Sequence, residues 1–76
     1  MVEPLHEYLV TFGTEHGVRE TVIKADKRTI TAPGGLMLAV GHVAVLSMAP
    51  YVWRSVQRVG QPGTLIENHR FAVAGS

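Results

Sequence analysis

MAPYVWRSVQR (residues 48–58) holds the only tryptophan, one of the two tyrosines and two of the seven basic residues of the chain. Whether it folds as a helix, a strand or the end of a membrane span decides what its arginines face. A helix has support in the pattern. Pro50 suits a first turn, Val52, Val56 and Val59 fall at i, i+4 and i+7, and Arg54 and Arg58 share the opposite side. Gly60 and Pro62 then follow as stop signals. A strand has the propensities, because Tyr, Val, Trp and Ser dominate after Pro50. A short 3₁₀ turn over residues 50–52, then a closing strand over residues 53–59, satisfies both sets of signals, and we adopt that reading.

Upstream, residues 34–53 (GGLMLAVGHVAVLSMAPYVW) contain no Asp, Glu, Lys or Arg. Roughly 18 or more such residues make a candidate membrane span. Lys27 and Arg28 precede the run, Arg54 follows it, and Tyr51 and Trp53 stand where an interfacial belt belongs. Against a span, His42 lies near its middle, where a polar ring is costly. Gly41-His42 also divides it into LMLAV and VAVLSMA, each of strand length, and Pro33-Gly34-Gly35 ahead of them is strong turn chemistry. The expectation is two strands and no membrane partner.

The rest of the chain reads as β. HEYLVTF (residues 6–12) puts Tyr8, Val10 and Phe12 on one face and Glu7 and Thr11 on the other, with Leu9 out of pattern. GTEHG (residues 13–17) has the length of a hairpin loop. VRETVIKA (residues 18–25) is β-branched in its second half, and Asp26-Lys27 is expected to turn tightly into RTITA. The fold class expected is all-β: a small antiparallel SH3-like barrel, or barrel-like sheet, of about five or six short strands over residues 1–60. GQPG (residues 60–63) is a break. Residues 61–76 follow as an extension whose Leu65, Ile66, Phe71 and Val73 suit an edge strand or a dimer contact.

Composition sets the outer limits. A chain of 76 residues has room for one thin core, since a domain this small hides only about 60% of its unfolded surface. With no cysteine, disulfides and thiolate zinc sites are both removed. Association with a second copy is then the remaining way to bury more apolar surface, and a homodimer is expected. Charged residues are 17% and hydrophobic ones 46%, with a net charge of +1. This is neither a disordered chain nor a strongly basic nucleic-acid binder. Charge is uneven: residues 1–35 hold five acids and four bases, the remainder one acid and three arginines. MVEPLHEYLV has acids where a secretory leader needs bases, so a cytoplasmic location is expected.

HVAVLSMAPYVWRSV (residues 42–56), with YLVTF and ETVIKA upstream, resembles short actinobacterial and phage-type small β proteins of unknown function. Their recurring shape is a β-hairpin followed by V-A-x-(apolar)-A-P-x-x-W-x-S-V. The likeness runs from His6 to Val56, and the chain departs from it after Gly60. It implies a fold and a genomic setting, with an accessory role in a phage or mobile element acting on a host factor.

Chemistry-bearing residues are scattered. His6, His16, His42 and His69 make no pair at metal-ligand spacing, and His16 and His42 suit loop and turn positions. Ser47 and Ser55 lie in no nucleophile elbow, and the six carboxylates form no acid–base pair. APGG and GQPG lack the lysine and helix of a phosphate loop. We therefore expect no catalytic residue, metal or cofactor. The leading expectation is a protein-binding module, with Tyr51, Trp53, Arg54, Arg58 and Phe71 as candidate contacts, because aromatics and arginines dominate binding hot spots. For Trp53 the competing reading, that it closes the core, is the stronger. The second class is a small nucleic-acid-binding barrel, in which Arg54 and Arg58 meet phosphates beside aromatic platforms.

Overall fold

The computed structural model describes residues 5–32 and 34–71. The described residues are all-β, with seven strands: β1 (His6–Thr14), β2 (Gly17–Ala25), β3 (Lys27–Ile30), β4 (Leu36–Val40), β5 (Val43–Met48), β6 (Trp53–Arg58) and β7 (Ile66–Glu67). They form two antiparallel sheets, one of four strands in the order β2-β1-β6-β7 and one of three in the order β3-β4-β5. Among the described residues the sheets do not join into a closed barrel, and the strand number exceeds the five or six expected.

β1 alternates as its sequence dictates. Tyr8 and Val10 are buried, Phe12 packs on the core's margin, and Glu7 points outward. The β1–β2 hairpin turns on Glu15 and His16 alone, so Gly13 and Thr14 belong to the strand. The Thr14 hydroxyl accepts from the His16 N–H at 3.1 Å and donates to the Gly17 carbonyl at 3.0 Å, a side chain standing in for backbone turn bonds. Gly17 follows with φ +114°, a conformation open to glycine.

Asp26 is not the tight turn expected. It is a one-residue bend at which the chain leaves the four-stranded sheet and enters the other. Its N–H donates to the Ala39 carbonyl at 3.0 Å, extending the β3–β4 ladder, and its carboxylate accepts from Gly41 N–H at 2.9 Å. That second bond braces the Gly41-His42 turn between β4 and β5, where Gly41 has φ +60°, the glycine-first pattern of a tight hairpin. The uncharged run is thus two strands and two turns. Among the described residues no helix is long and apolar enough to cross a membrane. Of the expected Pro33-Gly34-Gly35 turn, Pro33 lies outside the described residues.

Between the sheets lie Tyr8, Val10, Ala25, Leu36, Leu38, Trp53 and Val56. Trp53 and Val56 are both buried although three apart on one strand, which strict period-two alternation forbids. A β-bulge resolves it: Ser55 lies opposite Thr11 and Trp53 opposite Phe12, leaving Arg54 as the extra residue. The turn ahead of β6 is closed by a single Val52 N–H to Ala49 carbonyl bond at 3.0 Å. Turn plus strand, not helix, is how residues 48–58 fold.

Candidate functional site

β7 places the C-terminal segment along β6, with Ser55 opposite Glu67 and Val56 opposite Ile66. The segment is seated by Asn68. Its side-chain amide donates to the carbonyls of Pro50 (2.5 Å) and Trp53 (2.6 Å), and its Oδ1 accepts from Arg70 N–H at 3.0 Å. The Asn68 N–H donates to Arg54 carbonyl at 2.8 Å. One side chain therefore ties the extension to the turn that enters β6. Phe71 then comes to rest against Gly13. A Cβ built on Gly13 meets the Phe71 ring at 2.9 Å, so the ring sits where it does because residue 13 has no side chain, and a larger residue would displace it.

Between this segment and the outer face of β1 and β6 is a cleft of about 390 Å³, the size range of pockets that take a few side chains or a small ligand. Thr11 and Ser55 contribute hydroxyls from the paired strands, and Arg54 enters from the bulge. The extension supplies Leu65, Glu67, Asn68, His69 and Phe71. Arg54 and Glu67 have no hydrogen-bond or ion-pair partner through their side chains among the described residues. The cleft thus offers one cation, one anion, hydroxyls and a ring within a single concave surface.

The five expected contact residues do not form one surface. Arg54 and Phe71 line the cleft. Tyr51 is well exposed in the turn but is not part of the lining. Trp53 is 2% exposed and its indole N–H donates to the Gly34 carbonyl at 2.8 Å, so its ring is a core element and presents nothing to a partner. Arg58 shares the face of Tyr8, with which it pairs directly, because the bulge shifts the alternation after Arg54. Its neighbourhood is a different one. Thr64 Oγ1 accepts from the Arg58 N–H at 3.0 Å, and Arg28 spans from 5.8 Å over the Tyr8 ring to the Thr64 carbonyl at 2.9 Å. The common side expected for Arg54 and Arg58 is therefore split between the two faces of the sheet.

Sequence reasoning missed Thr11, Ser55, Leu65, Glu67, Asn68 and His69 as neighbours. Asn68 carried a usable signal: an Asn after a short β-branched run is suited to closing an Asx turn. Nothing local indicated which carbonyls its amide reaches. Removing that amide in Asn68→Ala leaves two carbonyls without their donor and should cost about 1–3 kcal/mol. Urea denaturation followed by circular dichroism measures it, and faster amide exchange over residues 65–71 than over β1 should accompany the loss.

Among the described residues no group of three or more His, Cys, Asp or Glu side chains could hold a metal ion. No family model, curated protein or solved structure matches the chain.

Proposed function

We propose that the chain is a non-enzymatic protein-binding module, an open variant of an SH3-like barrel whose cleft receives a segment of another protein. The barrel description rests on the strand that bends between sheets at Asp26 and on the turn that leads into β6. One observation carries the binding reading: the cleft holds Arg54 and Glu67, neither with a side-chain partner among the described residues, beside the Phe71 ring and Leu65. A mixed-charge surface with an aromatic floor matches a polypeptide, which brings carboxylates, amides and apolar side chains together. In the setting that the sequence resemblance implies, the partner is a host protein. A nucleic-acid strand suits the cleft less well, since Glu67 repels phosphate and Arg58 faces the other way.

Selection of binders from a displayed random-peptide library, followed by calorimetry, tests the proposal. Enriched peptides should lose about tenfold to a hundredfold in affinity for Arg54→Glu, the worth of a charge-assisted bond. Peptides that bind Arg54→Glu and Phe71→Ala as tightly as the parent chain would refute the cleft. Salt-dependent oligonucleotide binding lost in Arg54→Ala, with no peptide enriched, would replace it by the nucleic-acid reading.

A further inference from the structure

Among the described residues the two sheets end in four strand edges, and three are guarded by charge or shortness. β2 carries Arg19, Glu20 and Lys24, β3 is four residues long and begins Lys27-Arg28, and β7 has only two residues. Charge, shortness and β-bulges are the usual devices that keep an edge from pairing with another chain. β5 has no charge and is longer than β3 and β7; its one device is the bulge at Val45. Its six residues, VAVLSM, include no charge, proline or glycine, and among the described residues it pairs only with β4. Val43 is 66% exposed, and Val45, the unmatched residue of a bulge in the β4–β5 ladder, is 45% exposed.

We infer that β5 pairs antiparallel with β5 of a second copy about a two-fold axis near Val45. Three features select a second copy as the occupant. The strand is self-complementary, because an uncharged strand meeting itself places no like charges opposite one another. The net charge of +1 leaves little long-range repulsion between copies. The product also closes on itself: a six-stranded sheet running β3-β4-β5 and then β5-β4-β3 of the second copy ends at both sides in the Lys27-Arg28 edge, which stops further growth. The pairing covers Val43 and Val45, which the thin core leaves in water. One six-residue edge per chain buries less than a standard interface, so the dimer should be concentration-dependent, with Kd on the order of micromolar or weaker.

Sedimentation equilibrium over a broad concentration series gives the test. The parent chain should pass from monomer to dimer. Val45→Lys, which brings two ammonium groups to the axis, should weaken association roughly tenfold or more, with circular dichroism unchanged. Val22→Lys, an equally exposed change on the β2 edge, should leave the dimer intact. Because the chain has no cysteine, a spin label at Ser47→Cys provides a second readout that does not depend on tolerance of lysine. It should report one short, narrow distance between copies. A parent chain that stays monomeric, a dimer that survives Val45→Lys, or no short distance from residue 47 overturns the inference.

Discussion

Trp53→Ala is expected to remove most of the stability of this fold. The indole is buried between the sheets, and truncating a core tryptophan costs about 3–5 kcal/mol. The same change strips the Gly34 carbonyl of the N–H that reaches it at 2.8 Å, leaving a polar atom beside the core without that partner. A chain this short has about 4–11 kcal/mol in all, so the substitution consumes a large share of it. Urea denaturation followed by far-UV circular dichroism should show a variant that is largely unfolded or has a sharply lowered midpoint. Trp53→Phe separates the two contributions. It keeps an aromatic ring but not the bond to Gly34, and its midpoint should fall between those of the parent and alanine chains. A Trp53→Ala chain with the parental midpoint would mean that Trp53 does not hold the sheets together.

Gly35→Val should rank next. Gly35 is buried where the loop after β3 enters β4, and a Cβ there meets Thr31 Oγ1 at 2.7 Å and Met48 carbonyl oxygen at 2.9 Å. The hydroxyl can rotate aside. The carbonyl cannot, because Met48 is in register with Leu36, the next residue, and retreat opens that pair. Overpacking of this kind costs about 1–3 kcal/mol for a small group and more for a branched one. The diagnostic measurement is the same substitution in a Thr31→Ala background. If the backbone carbonyl is the obstacle, most of the penalty persists there; full rescue by Thr31→Ala would assign the obstacle to the hydroxyl instead.

These two positions differ in how far they could be read from the sequence. Trp53 could be read as core, since the one tryptophan of so small a domain is more often buried than displayed. Gly35 could be read only as part of turn chemistry; its contact with Met48 crosses from one strand to another, and no local signal reports it. The cleft divides in the same way. Phe71 and Arg54 were identifiable as an aromatic and a base in the less acidic half, yet their meeting depends on Asn68 seating the extension and on Gly13 leaving space for the ring.

By itself the sequence determined the local β structure. Tyr8, Val10 and Phe12 alternate, Gly41-His42 turns, and Pro50 leads into a strand, because side-chain period and turn chemistry are properties of neighbouring residues. Tertiary structure alone decided which face each arginine takes and where the strands change sheets. Arg54 and Arg58 have the same parity in the sequence, but one extra residue in β6 against β1 reverses everything beyond it. Asp26 reads as a turn and serves as a bend because Ala39 and Gly41, distant in the chain, supply its hydrogen-bond partners. Register and sheet exchange belong to pairs of strands, and a pair exists only once the chain has folded.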